Sequence, residues 1–230
     1  MIAKKLGAIS LCLFLASCAS HTSTNSMDGG TNQQYVKGDP EQLYQMGNQY
    51  AKGVGVPRND EKAVLYYRSA AKQGYAKAEY SLGYMYRTGH GVPRDYNQAA
   101  DWFERAAKHG NSDAQYSLGV RYLLGQGTAQ DYGRALDWFQ KAAAQGNPYA
   151  ENQLGFLYAA GKNVPQNYTL SLEWYQKAAD HGLASAQYNL GLMYANGIGT
   201  APDRVKAKQL FQLAAARGFE PARKALAQYN

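Results

Sequence analysis

The sequence repeats itself every 36 residues, and this period constrains its fold more than any other feature. A fixed period of about 20–50 residues is typical of solenoids and repeat arrays, in which each unit buries its apolar face against its neighbours. Three glycine columns define the period: Gly47, Gly83, Gly119, Gly155 and Gly191; Gly53, Gly89, Gly125, Gly161 and Gly197; and Gly74, Gly110, Gly146, Gly182 and Gly218. We therefore expect five repeats, over 40–75, 76–111, 112–147, 148–183 and 184–219, and a C-terminal capping helix over 220–230.

Within each repeat the apolar spacing predicts two helices. Ala78, Leu82 and Tyr86 recur at i, i+4 and i+8, which places them on one face of a first helix. A glycine loop ends this helix, because glycine readily adopts the positive φ of a helix C-cap. An Asn or Asp then stands where the second helix must begin, and these residues cap helix N-termini well: Asn59, Asp95, Asp131, Asn167 and Asp203. The predicted fold class is all-α, built from helix-turn-helix repeats.

The loop around His90, in the stretch TGHGVPRD, has two interpretations. A Gly-rich loop before a helix can cradle a phosphate with its backbone N–H groups. However, no strand precedes this loop, and the same column carries a different residue in every repeat: Val54, His90, Gln126, Lys162 and Ile198. We therefore favour a structural bend over a ligand site.

Aromatic residues recur in columns, and the chain has 20 tyrosines. One such column is Tyr50, Tyr86, Tyr122, Tyr158 and Tyr194. Such a ladder serves either as a cofactor or sugar platform or as packing between stacked helices, and we favour packing. We expect no cofactor, no metal site and no catalytic residues, since neither a Ser-x-x-Lys motif nor a His/Cys/Asp cluster at metal-ligand spacing is present.

The motif A-x-A-E-Y-S-L-G-Y-M-Y-R-T-G-H-G-V-P-R-D-Y, followed by A-A-D-W-F-E-R-A-A-K-H-G, resembles the Sel1-like repeat, a relative of the tetratricopeptide repeat. The resemblance covers 40–219 and implies a right-handed α-solenoid whose concave face is formed mainly by the first helices. It also implies an adaptor that binds protein segments. A cysteine-rich subgroup is linked to penicillin binding and β-lactamase activity, but it carries paired cysteines within its repeats, which this chain lacks.

The N-terminus has the pattern of a secretory signal peptide over 1–17: a short basic start, an apolar core and small residues. Its end, Leu-Ala-Ser-Cys, resembles the lipobox of bacterial lipoproteins, which implies cleavage before Cys18 and acylation of that residue. The alternative is an ordinary secretory signal with an incidental cysteine. By the same resemblance, Ala19 favours the outer membrane, with the protein facing the periplasm. The polar segment 18–39 reads as a flexible tether.

A partner would meet the exposed face of the first helices, where residues should differ from repeat to repeat. The stripe that we predict for partner binding is Ser81, Tyr84, Ser117, Val120, Gln153, Phe156, Asn189 and Leu192. Tyr84, Val120, Phe156 and Leu192 form one apolar column within it, and adjacent exposed apolar residues indicate an interaction patch. Alternatively, the curvature of the stack buries this column in part.

Two functions follow. The first is a non-enzymatic scaffold anchored to the envelope, which binds a protein or peptide of unknown identity. The alternative is a hydrolase that acts on cell-wall material or β-lactams. The net charge of +7, without a dense run of Lys or Arg, does not indicate nucleic-acid binding.

Overall fold

The structure, a computed structural model, describes residues 35–126 and 129–229, which include eleven α-helices and no strand. The signal segment 1–17, Cys18 and most of the tether lie outside the described residues. The helices are α1 (Pro40–Lys52), α2 (Asp60–Ala71), α3 (Ala76–Thr88), α4 (Tyr96–Lys108), α5 (Ser112–Leu124), α6 (Tyr132–Ala143), α7 (Pro148–Ala160), α8 (Tyr168–Asp180), α9 (Ala184–Asn196), α10 (Arg204–Ala216) and α11 (Glu220–Leu226). A 3₁₀ turn follows over Ala227–Tyr229. The expected all-α fold of helix-turn-helix repeats is confirmed.

The chain divides into two compact units between Asp131 and Tyr132. The N-terminal unit contains α1 to α5, and the C-terminal unit contains α6 to α11. Within each unit a first helix packs on the second helix of its own repeat, and that second helix packs on the first helix of the next repeat. Each unit has its own apolar core, around Leu82 in the N-terminal unit and around Tyr175 and Phe211 in the C-terminal unit.

The predicted helix signals are present. Each first helix ends at a left-handed glycine with φ between 64° and 75°, and the N–H of that glycine donates to a carbonyl one turn earlier. Four of the second helices begin at side chains that accept a backbone N–H, namely those of Asn59, Asp95, Asn167 and Asp203. These caps satisfy donors that would otherwise lack a partner at the start of each helix.

The glycine in the middle of the first helix has a packing role in four of the repeats. A Cβ atom at Gly155 would lie 2.7 Å from Cδ1 of Tyr175, and one at Gly191 would lie 2.6 Å from Cε1 of Phe211. Gly47 and Gly83 stand in the same way against the rings of Tyr67 and Phe103. The aromatic ring of the second helix thus lies directly on the backbone of the first, and only glycine leaves room for it.

Candidate functional site

The glycine loop that contains His90 is a bend in the described structure. Nδ1 of His90 lies 3.2 Å from Oγ1 of Thr88, the last residue of α3. A Cβ atom on Gly91 would collide with the carbonyl oxygen of Asp60, at the start of α2 in the preceding repeat. The loop is therefore glycine-rich because two backbones meet there, which supports the structural interpretation.

In the N-terminal unit, the predicted partner stripe includes one clearly exposed aromatic residue. Tyr84 is 43% exposed on α3, and the Arg87 guanidinium lies 5.2 Å from the centroid of its ring. Val120 is half-buried on α5. Ser81 and Ser117 are half-buried too, and the Ser117 hydroxyl donates to the backbone oxygen of Asp113 at 2.8 Å. In this part of the stripe an exposed aromatic ring thus lies beside a cation.

In the C-terminal unit, the expectation of an exposed stripe is wrong for two residues. Gln153 and Asn189 are each only 1% exposed. Asn189 donates from Nδ2 to Oδ1 of Asn152 at 3.2 Å, whereas neither amide atom of Gln153 has a hydrogen-bond partner among the described residues. The repeat period places equivalent residues on the same helix face, but it does not set how much of that face is covered. Here α7 and α9 are buried over consecutive positions, 150–155 and 185–191, so that every face of these segments is covered.

The apolar members of the stripe in this unit are half-buried. Phe156 and Leu192 both pack against the core cluster that contains Tyr175, Leu190 and Phe211. The partial burial matches the alternative that the sequence left open for this column. Whether these side chains bind a partner stays a prediction.

A buried carboxylate on α3 contacts Arg105 of α4 and His109, the residue that follows α4, an arrangement that the sequence did not predict. Glu79 is fully buried, with Oε2 2.7 Å from Nδ1 of His109 and Oε1 3.2 Å from Nε of Arg105. Two repeats later, Oε1 of Glu151 lies 3.7 Å from Nε2 of His181, and burial raises the pKa of this carboxyl although His181 opposes the shift. The only signal in the sequence was the fixed 30-residue separation of each Glu from its His.

A cleft of about 670 Å³ lies at the C-terminal end of the second unit, between α9, α10 and α11. Its lining includes Leu192 of the predicted stripe together with three aromatic and two basic residues: Tyr188, Phe211, Tyr229, Arg204 and Lys224. Of these residues only Leu192 was predicted from the sequence, because the cleft forms where non-equivalent positions of three helices meet.

Two further observations apply to residues 35–126 and 129–229. They include no group of three or more His, Cys, Asp or Glu side chains placed to hold a metal ion. None of their helices is both long enough and apolar enough to cross a membrane.

Comparison with known proteins identifies the repeat. The Sel1 repeat model matches residues 43–75, 76–111, 112–147, 148–183 and 184–219. No curated protein matches the sequence. Proteins with Sel1 repeats generally mediate protein–protein interaction and are not typically enzymes.

Solved structures show the same fold. A Sel1 repeat protein from Oxalobacter formigenes is 32% identical with a TM-score of 0.72, over 82% of this chain and 75% of that one. A protective antigen of uropathogenic Escherichia coli with an SLR fold is 38% identical with a TM-score of 0.70, over 81% of this chain, which spans only 40% of that antigen. An immunity protein of Pseudomonas aeruginosa is 26% identical with a TM-score of 0.50, over 82% of this chain and 69% of that one. With all five repeats matched in phase, this chain belongs to the Sel1 repeat family.

Proposed function

We propose that this chain is a non-enzymatic adaptor that binds a protein or peptide segment on the first helices of its repeats. The observation that carries the proposal is Tyr84, an aromatic side chain that is 43% exposed on a first helix with Arg87 stacked over its ring. Exposed aromatic and arginine side chains contribute strongly to binding once a partner desolvates them. Val120 flanks Tyr84 one repeat later in the same column, within the same unit.

A matched pair of tyrosines tests this proposal. Tyr84 on α3 and Tyr96 on α4 are 43% and 41% exposed, and an arginine lies over each ring, Arg87 at 5.2 Å and Arg94 at 5.4 Å. A photo-crosslinking phenylalanine at position 84 should give a discrete protein adduct in intact envelopes, whereas one at position 96 should give none. Adducts of equal yield at both positions would show that contact at Tyr84 is not specific.

We further propose that Cys18 anchors the adaptor to the outer membrane, on the periplasmic side. The motif Leu-Ala-Ser-Cys at the end of an apolar signal core supports this proposal. Two or more acyl chains on one residue give stable anchoring by apolar burial, and the polar segment 18–39 would let the repeats stand away from the bilayer.

Labelled palmitate tests the anchor, and the chain supplies its own control. Cys18→Ala should abolish labelling and release the protein from membranes or leave an uncleaved precursor. Cys12→Ala should leave labelling unchanged, because Cys12 lies in the signal core that is removed. A wild-type protein that never takes up palmitate would contradict the lipoprotein assignment.

The non-enzymatic character is tested separately with a chromogenic β-lactam. We expect no turnover above that of buffer, since the paired cysteines of the subgroup linked to such activity do not occur in these repeats. Saturable turnover by the purified chain would favour the hydrolase instead.

A further inference from the structure

The cleft between α9, α10 and α11 has an aromatic floor. The ring centroids of Tyr188 and Phe211 are 5.6 Å apart, and those of Phe211 and Tyr229 are 5.7 Å apart. Leu192 and Ala195 of α9 extend this apolar lining. A volume of about 670 Å³ lies within the range of roughly 300–1,000 Å³ that is typical of ligand clefts. Phe211 and Tyr188 are only 1% and 8% exposed, so the apolar surface that a ligand side chain can touch belongs to the half-buried Tyr229, Leu192 and Ala195.

The same end of the chain is strongly basic. Over 204–229 it carries one acidic residue, Glu220, against six basic ones: Arg204, Lys206, Lys208, Arg217, Arg223 and Lys224. Glu220 itself lines the cleft, and the Nη1 atom of Arg223 lies 3.3 Å from its carboxylate, which gives this carboxylate a cationic partner. A ligand that enters the cleft meets a net positive potential.

Two of these cations line the cleft without an ion pair among the described residues. The guanidinium of Arg204 lies 5.1 Å from the ring centroid of Tyr229, which holds it beside the aromatic floor. Lys224 projects from α11 and is exposed. By contrast, Nζ of Lys206 contacts the Tyr194 hydroxyl at 2.8 Å, and Nζ of Lys208 contacts the Tyr229 carbonyl at 3.1 Å. Arg204 and Lys224 are thus the cations placed to meet an anionic ligand.

We propose that this cleft binds an acidic peptide segment with a central aromatic side chain. The aromatic side chain lies against the half-buried Tyr229 and Leu192, beneath which the rings of Tyr188 and Phe211 are buried, and the flanking carboxylates pair with Arg204 and Lys224. A guanidinium matches a carboxylate with two parallel hydrogen bonds, and its geometry gives register as well as affinity. The inference rests on the proposed adaptor function and specifies the chemistry of one partner segment. The cleft is concave and has two cations at its rim. This shape is better suited to an aromatic side chain flanked by carboxylates than to the flat surface of an anionic bilayer.

Fluorescence anisotropy with the full chain and three labelled peptides tests the specificity. The probes are GDEDFDEDG, its basic counterpart GKRKFKRKG, and GDEDSDEDG, in which serine replaces the aromatic residue. We expect binding of the first, none of the second and at least fivefold weaker binding of the third. Equal affinity for the first and third peptides would overturn the proposal, and so would tighter binding to phosphatidylglycerol vesicles than to the acidic aromatic peptide.

Two double variants with the same net charge locate the site. Arg204→Gln with Lys224→Gln should weaken binding of GDEDFDEDG about tenfold, the loss expected when about 1.4 kcal/mol of charge pairing is removed. Lys206→Gln with Arg217→Gln removes two charges of the same segment that do not line the cleft, and it should change affinity less than twofold. Equal losses in both variants would show attraction by overall charge and overturn the assignment.

A third variant guards against misfolding. Lys224→Glu changes a single exposed residue of α11. At an unchanged melting temperature, this variant should weaken binding of the acidic peptide more than the double variant Arg204→Gln with Lys224→Gln does. Unchanged affinity in this variant would contradict the proposed role of Lys224. Tyr84 lies in the N-terminal unit and the cleft lies in the C-terminal unit. A crosslinked adduct at position 84 together with no binding of GDEDFDEDG would therefore refute the proposal for the cleft but not the proposed adaptor function.

Discussion

Two buried tyrosines at equivalent positions should respond oppositely to loss of their hydroxyl groups. The Tyr67 hydroxyl donates to Oδ1 of Asn48 at 2.9 Å, and burial raises the pKa of Tyr67 to about 12. Tyr175, three repeats later, is fully buried, and its hydroxyl has no hydrogen-bond partner among the described residues. The residue that corresponds to Asn48 in that repeat is Phe156, which offers no acceptor.

The magnitudes follow from this difference. Tyr67→Phe removes a hydrogen bond whose net contribution is about 1 kcal/mol, so it should destabilise the N-terminal unit. Tyr175→Phe removes a buried hydroxyl that lost its water without compensation, a cost of about 1–3 kcal/mol. Phenylalanine already stands in this column at Phe103, Phe139 and Phe211, so the smaller ring fits the packing. We expect Tyr175→Phe to stabilise the C-terminal unit by about 1 kcal/mol, net of the small void that it leaves.

Thermal melts followed by circular dichroism measure both effects. For a chain of this length about 1 kcal/mol corresponds to roughly 2–4 °C, so that the two variants should differ by about twice that amount. Hydrogen exchange in α2 and α8 assigns each change to its own unit. An equal fall in melting temperature for both variants would refute the reasoning, because it would require a partner on the Tyr175 hydroxyl.

Three other predictions test the packing. Gly155→Ala should lower the free energy of unfolding by about 1–3 kcal/mol, although alanine favours a helix, because its Cβ would lie 2.7 Å from the Tyr175 ring. In urea unfolding, the double variant Gly155→Ala with Tyr175→Leu should lose less stability than the sum of the two single losses, and strict additivity would contradict the contact. Glu151→Gln should raise the melting temperature at pH 7, because burial raises the pKa of this carboxyl and its ionised form therefore opposes folding. The gain in melting temperature should vanish as the pH falls below about 4.5, where the wild-type carboxyl is protonated in both the folded and the unfolded state. A lower melting temperature of the variant at pH 7 would show that the His181 contact outweighs burial. Asn167→Ala should cost about 1 kcal/mol, because its Oδ1 accepts the N–H of Leu170 at 2.9 Å, and Asn167→Asp should restore most of that loss in the same melt.

The repeat architecture was predictable from the sequence because its signals are local. A capping side chain such as Asn167 or Asp203 acts within three residues of its own position, and a C-cap glycine acts within one helical turn. The column that contains Gly155 was visible as well, but its cause was not. That cause is the ring of Tyr175, which belongs to a different helix and reaches the glycine only after the pair has packed.

The candidate site was less predictable because exposure is a property of the packed molecule. Gln153 and Ser81 occupy equivalent positions, yet Gln153 is 1% exposed and Ser81 is half-buried. The cleft was missed for a related reason. Arg204 and Lys224 stand at unrelated positions of different repeats, so no column brings them together in the sequence.

Variation within a column proved to be an incomplete guide to binding. The column of Glu79, Gln115, Glu151 and Gln187 alternates between acid and amide, yet all four side chains are buried. The acids face His109 and His181, whereas the amides of Gln115 and Gln187 donate to the backbone oxygens of Ala107 and Ala179. Each change is thus matched by a partner inside the fold, which identifies the variation as structural.

Variable positions whose side chains form no hydrogen bond or ion pair inside the described fold are better candidates for contact with a partner. Tyr84 occupies the position that corresponds to Asn48 of the preceding repeat, where Asn48 accepts the hydrogen bond of the Tyr67 hydroxyl. The residue that corresponds to Tyr67 in the repeat of Tyr84 is Phe103, which has no hydroxyl and needs no acceptor. Loss of the tyrosine hydroxyl thus frees this position from its internal role, and Tyr84 remains 43% exposed. Arg204 and Lys224 are unmatched in the same sense, since neither forms an ion pair among the described residues. A solenoid can vary such positions without cost to its core, and for this reason we look there for the residues that select its partners.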